Sequence, residues 1–196
     1  MKLRQHQKDC IDAINKHFET NNNALIKMFC GSGKSFIIFD SLLRYCVNLG
    51  IVVVPSINLI TQFNRDYFLN DELKKYNKKN FNKTFELITI CSKNELVVSS
   101  QQNFKFTTDK YDILKFLEND KVEKIVLITY QSLEVLFTII KDNHMTVDII
   151  CFDESHHILG DGMKKLLFGF DDDYNEECDE EYDEEYDEEC NEEYDE

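Results

Sequence analysis

The sequence predicts an α/β fold: a mostly parallel sheet flanked by helices, followed by a disordered acidic tail. Three observations predict it. First, residues 24–35, ALIKMFCGSGKS, run from an apolar segment through a glycine-rich turn into an apolar-rich helical segment. Second, short apolar runs such as Ile51–Val54 and Ile125–Thr129 alternate with segments of helical periodicity. Runs of that kind suit strands buried on both faces, and strand–helix alternation implies right-handed crossovers and parallel pairing. Third, composition breaks sharply at residue 171. Residues 171–196 hold 18 acidic side chains and no Lys or Arg, leaving 20 of the 38 acids to set against all 22 basic residues, a net of +2 for residues 1–170. Two units follow: a body over 1–170 and a low-complexity tail over 171–196.

Taken in order, residues 4–18 read as an amphipathic helix with Cys10, Ala13, Ile14, His17 and Phe18 at core spacing. Residues 24–29 read as the first strand, and 36–49 as a helix with Gly50 at its C-cap. A strand over 51–54 ends at Pro55-Ser56, and a helix follows over 57–68, with Leu59, Ile60, Phe63 and Tyr67 on one side. Residues 70–83 break the pattern and read as a lysine-rich loop, with Tyr76 and Phe81 between Lys74, Lys75, Lys78, Lys79 and Lys83. Basic residues interleaved with aromatics can grip a nucleic-acid strand; a solvated loop is the plainer reading. Strands are expected over 85–91, 125–129 and 147–152, and helices over 111–117 and 131–140. Residues 95–108 are ambiguous, with some extended character.

Two places carry chemistry. A glycine-rich turn between strand and helix exposes successive backbone N–H groups at a positive helix end, a site for phosphate. At Gly31-Ser32-Gly33, glycine lets the backbone approach the anion. Lys34 supplies a point charge for the outer phosphates and Ser35 a hydroxyl for Mg²⁺. The strict pattern wants a glycine where this chain has Met28. The second place is Asp153-Glu154-Ser155-His156-His157, directly after the last expected strand. Ligands collect at the carboxyl ends of parallel strands, so both places can share one rim. Asp153 there can hold Mg²⁺ through water, and Glu154 can polarise a water in line with a γ-phosphate. Zinc is a poor reading of the two histidines, because no Cys or carboxylate sits at zinc spacing.

Composition narrows the setting. Seven scattered cysteines, odd in number and never spaced CxxC, argue against a disulfide framework and for a reducing, intracellular compartment: cytoplasm, nucleus or a viral factory. The N-terminal residues MKLRQHQKDC do not resemble a secretory signal, and no apolar run reaches the ~20 residues of a membrane span, so no membrane partner is expected.

Five stretches, in order, resemble the superfamily 2 helicases, the DEAD/DEAH-like, DExH-box ATP-dependent enzymes. Leu3-Arg4-Gln5-His6-Gln7 is similar to their leading element, in which the last glutamine, here Gln7, reads adenine. Met28-Phe29-Cys30-Gly31-Ser32-Gly33-Lys34-Ser35 resembles their P-loop, which often lacks the first glycine. Residues 52–62, with Pro55, Ser56 and Gln62, and residues 128–132, with Thr129, Gln131 and Ser132, resemble segments that contact nucleic acid. Residues 151–156 match the DExH box. The resemblance covers about residues 3–165 and implies a first RecA-like domain. It implies ATP and Mg²⁺ as cofactors and RNA or DNA, single-stranded, as partner. By the same resemblance Lys34 grips phosphate, Ser35 and Asp153 hold Mg²⁺, Glu154 activates water and His156 relays nucleotide state. The family continues to a Ser-Ala-Thr strand and a second RecA-like domain whose arginines complete the ATP site; here residues 171–196 follow instead. The expectation is ATP binding with slow hydrolysis, no unwinding by the chain alone, and a separate chain supplying the second domain. The alternatives are a non-catalytic nucleotide- or nucleic-acid-binding adaptor and an inactive truncated remnant.

Overall fold

The structure is a computed structural model that describes residues 3–91, 106–119 and 122–155. The acidic tail, residues 95–105 of the ambiguous segment, and His156 lie outside the described residues. The described part contains a five-stranded parallel sheet of order β3-β2-β4-β1-β5, where β1 is Leu49–Val54, β2 Phe85–Ile90, β3 Phe106–Thr107, β4 Glu123–Thr129 and β5 Ile149–Phe152. The α/β expectation holds. Because the strands are parallel, their carboxyl ends share one rim. Val54 pairs with Thr129 and Val53 with Phe152, which puts Pro55, Tyr130 and Asp153 side by side on it.

The apolar runs form the centre of the sheet for the reason given by their composition. Every residue of β1 is buried, as are six of the seven in β4. Val52, Val54, Ile125 and Leu127 form one core with Ile11 and Ile14 of α1 (Gln5–His17) and Phe36, Ile37, Phe39, Leu42 and Leu43 of α2 (Lys34–Tyr45). The residues of opposite parity, Ile51, Val53, Val126 and Ile128, are equally buried, so both sheet faces are covered. On α5 (Lys110–Leu117) and α6 (Leu133–Asp142), Ile113, Leu133 and Leu136 are fully buried. Asp148, the polar residue ahead of β5, accepts the backbone N–H groups of Val47, Asn48 and Leu49 and so ties the entries of β1 and β5 together. Burial alone would raise its carboxyl; the three amide donors and the Lys83 charge hold it below the usual aspartate value.

Four expectations need correction. Residues 24–29 form no strand, and among the described residues β5 pairs with β1 alone. Leu25 is 71% exposed and Phe29 91%, so the segment's apolar side chains are not in the core. A strand is defined by a ladder, and this segment makes none; its start is instead held near α1 by His17, whose Nε2 lies 2.7 Å from the Asn23 carbonyl oxygen. Gly50 lies inside β1 and caps nothing. A Cβ there would stand 2.9 Å from Leu42 Cδ2 and 3.2 Å from Cys46 Sγ, so close packing of α2 on the sheet requires glycine.

The lysine-rich loop is a helix, α4 (Asp71–Asn80). Asn70 Oδ1 accepts the N–H groups of Glu72 and Leu73, acids occupy the first turn, and Lys78 and Lys79 occupy the last, a charge order that suits the helix dipole. On α1 the buried stripe is Gln7, Ile11 and Ile14, while Ala13 and His17 face solvent.

The helix expected over 57–68 is present as α3 (Ile57–Phe63) continued by a π-helical turn, Asn64–Phe68. That over 131–140 is α6, preceded by a short 3₁₀ turn, Tyr130–Ser132. Among the described residues no helix is long and apolar enough to cross a membrane.

Candidate functional site

The glycine turn enters α2 through two left-handed residues, Gly31 at φ 73° and Gly33 at φ 97°. Any other residue would be strained at both. Gly33 has a second constraint, since a Cβ there would meet Gln7 Nε2 at 2.4 Å. Gly33 is the N-cap of α2 and no side chain caps that end. The leading N–H groups of a helix have no carbonyl of their own helix to bond, so this end suits an anion. Ser32 closes the turn with both its N–H and its hydroxyl donating to the Phe29 carbonyl, at 3.2 and 2.6 Å.

Helix α1 lies against the turn. The Arg4 N–H donates to Gln7 Oε1 at 3.0 Å, which fixes the amide so that Nε2 points at the Ser32 carbonyl, 3.4 Å away. His6 Nε2 lies 2.9 Å from the same oxygen. Gln7 is buried, although polar, because it makes these bonds. Gln7, Gly31, Ser32 and Gly33 line a cleft of about 310 Å³. Asp66 and Tyr67, from the π-helical turn, form its other wall. Met28 packs half-buried against the core, whereas Phe29 and Cys30 face solvent.

The acidic pair reaches this turn. Lys34 Nζ is 3.6 Å from Glu154 Oε1. Both side chains are about a third or more exposed (34% and 41%), so the pair contributes about 0–1 kcal/mol and a phosphate can replace the carboxylate. Glu154 adopts φ 55°, a left-handed conformation uncommon for a long side chain, at the sharp exit from β5. Asp153 N–H donates to the Val53 carbonyl at 2.9 Å, and its own carbonyl accepts the Tyr130 hydroxyl at 2.8 Å. The Asp153 carboxyl titrates above the usual aspartate value. Burial is the main cause and the Glu154 charge adds to it, against an opposing pull from Lys34. A half-buried carboxylate beside a second acid is a poor structural element and a good cation ligand. Burial pushes Tyr130 up to about 12, helped by Asp153 and Glu154, so it stays a neutral donor.

Tyr67 joins the two halves. It lies close enough to Ser35 and to Asp153 for both to act on its phenol. Burial raises this phenol, the Ser35 contact opposes the rise, and the Asp66 and Asp153 charges add to it. The sequence places Tyr67 on a core face, where its ring does pack on Phe39 and Phe63, but gives no sign of Tyr67, Asp66 or Tyr130 as site residues. A single helical period gave no sign of the π-helical turn that rotates residues 66 and 67 into the cleft.

The remaining candidates occupy the sheet rim. Ser56 Oγ caps α3 by accepting the Leu59 N–H at 3.4 Å, beside half-buried Pro55. Thr129 and Ser132 are buried with their hydroxyls 3.3 Å apart, while Gln62 and Gln131 are exposed. Among the described residues no group of three or more His, Cys, Asp or Glu side chains is arranged to hold a metal, so a cation here would depend on phosphate oxygens and water to complete its shell.

Residues 1–176 match the family described as Type III restriction enzyme, res subunit. The chain belongs to this family. A probable helicase of African swine fever virus is 24% identical over 159 residues, which is 81% of this chain and 16% of the viral protein. A nuclease-deletion mutant of the Type ISP restriction-modification enzyme LlaGI, solved in complex with a DNA substrate mimic, shares the fold with a TM-score of 0.61 and 24% identity, over 80% of this chain and 15% of that one. The chain thus spans about one-sixth of the length of the proteins it matches. This res-subunit domain is a first RecA-like domain of the superfamily 2 type.

Proposed function

We propose that this domain binds Mg·ATP between the glycine turn and the Asp153-Glu154 pair, and hydrolyses it in response to a nucleic-acid strand on the sheet rim. The single observation that carries this reading is the 3.6 Å approach of Lys34 to Glu154, which brings the two halves together. The uncapped start of α2 receives the phosphates, and Lys34 leaves Glu154 to pair with them. Gln7, held by Arg4, reads the adenine edge. Ser35 and Asp153 hold the cation, which when bound neutralises charge building on the phosphates. Glu154, released from Lys34, accepts a hydrogen bond from the attacking water and orients it. Tyr130, bonded to the Asp153 carbonyl, ties this acid pair to the end of β4, next to Thr129, Gln131 and Ser132.

The nucleic acid lies along Pro55, Ser56, Gln62, Thr129, Gln131 and Ser132. The Type ISP relative was solved with a DNA substrate mimic, which favours DNA over RNA. Among the described residues lining the cleft Arg4 is the arginine. We place the further arginines such reactions use, which supply about 10³–10⁵ in rate, on a second RecA-like domain. His156 belongs to the same proposal, as relay between nucleotide and strand.

Calorimetry with Mg·ATP tests the site. Wild type binds and Lys34→Ala does not; equal affinity removes the assignment. Turnover with and without single-stranded DNA or RNA, against Glu154→Gln, tests the chemistry. Binding without turnover under every condition makes the domain a non-catalytic adaptor.

A further inference from the structure

Helix α4 separates two features that sit together in the sequence. Its aromatic residues are used inside the protein. The Tyr76 hydroxyl donates to Asp40 at 2.6 Å and its ring meets Phe36 edge-on at 5.6 Å. Phe81, just past the helix, lies under the Arg44 guanidinium at 5.2 Å. Neither ring is available to stack on a base. The lysines turn the other way. At about 100° per residue, Lys74, Lys75, Lys78 and Lys79 fill one arc of about 140°, opposite buried Leu73 and half-buried Tyr76 and Asn77. All four are exposed. Lys74 pairs with Asp71 at 3.4 Å, and Lys83 is committed to the Cys46 carbonyl and Glu123. Among the described residues Lys75, Lys78 and Lys79 have no acidic partner. Residues 71–83 contain five lysines against two acids, Asp71 and Glu72 at the start of α4, in a body whose net charge is only +2.

We propose that the exposed lysine face of α4 is a second nucleic-acid contact, outside the sheet rim, that holds the phosphate backbone without reading bases. Charge complementarity selects the occupant: a row of ammonium groups with no aromatic and no free amide between them suits a regular polyanion. The absence of a stacking ring removes base preference, because sequence is read at base edges and faces. The proposal rests on the reading that this domain meets nucleic acid, and the experiment separates the two.

The test is the salt dependence of binding of the full chain to a fluorescent single-stranded DNA of mixed sequence. The variant combines Lys75→Gln, Lys78→Gln and Lys79→Gln, and glutamine keeps helix propensity. Each phosphate contact contributes about 0.7 to the slope of log K against log salt for single strands, so losing three lowers that slope by about 2 and weakens binding at least about tenfold at low salt. The matching triple arginine variant retains slope and affinity, and oligomers of different base composition are affected alike. Lys110→Gln with Lys115→Gln on α5, also exposed, leaves both quantities unchanged. An unchanged slope in the α4 glutamine variant overturns the proposal, even if its melting temperature falls, since that result assigns the lysines to the helix dipole alone. An equal loss in the α5 variant overturns it too, by making the effect one of net charge. Failure of the wild-type chain to bind DNA or RNA at any salt overturns both this proposal and the rim reading.

Discussion

Two apolar stretches flank the same glycine turn and have opposite fates. After the turn, α2 sinks Phe36, Ile37, Phe39, Leu42 and Leu43 into the core, each at most 3% exposed. Before it, Leu25 and Phe29 stand in solvent and residues 24–29 join no strand. The difference teaches that apolar composition licenses burial without assigning a partner. A helix satisfies its own backbone and needs only a surface to lie on. A strand needs a ladder, and the N–H and C=O groups of 24–29 find no ladder among the described residues.

The comparison can be broken by stability measurements. Leu42→Ala removes a fully buried side chain between α2 and the sheet and lowers stability by about 2–5 kcal/mol. Leu25→Ser, at the exposed end of the comparison, changes it by less than about 0.5 kcal/mol. Both are read from urea unfolding, and a cost for Leu25→Ser approaching that of Leu42→Ala would mean that the two flanks are equally packed.

Between these extremes lies Asp153. Its folded-state pKa is raised, so ionisation of this group costs stability as pH climbs through that raised value, and the cost is absent below the ordinary aspartate value of about 3.9. Asp153→Asn therefore melts at a higher temperature than wild type at pH 7, the two converge in acid, and the variant loses its Mg²⁺ dependence of nucleotide binding. A variant that melts lower at pH 7 would show that the Asp153 carboxylate serves the fold rather than the ion.

Much of this was legible in the sequence for reasons that the structure makes plain. Central strands and the turn are local signals: β-branched runs for the strands, and Gly31 and Gly33 at positive φ for the turn. Asp153 and Glu154 could be placed because parallel pairing sends every strand's carboxyl end to one rim. Helix α4 was hidden by its lysines, although Asn70-Asp71-Glu72 is a cap followed by two acids, an ordinary helix start. Gly50 looked like a cap because a glycine after a helix usually is one; only the approach of Leu42 and Cys46 reveals the packing demand. Tyr67 was legible as a core residue and does pack on Phe39 and Phe63, but its place in the cleft, and that of Asp66, was not, because the wider π-helical turn changes which side chains face the cleft. Thr129 and Ser132 were legible as rim residues, but not the bond between their hydroxyls, which is a tertiary event.

The central claim is that Ser35 and Asp153 serve one cation. A double-mutant cycle on Mg·ATP binding, measured by calorimetry for wild type, Ser35→Ala, Asp153→Asn and the double variant, addresses it directly. Shared ligation predicts that the second substitution costs much less once the first is made, a coupling of about 0.5–3 kcal/mol. Losses that add to within about 0.3–0.5 kcal/mol would place the two residues in separate sites and contradict the account.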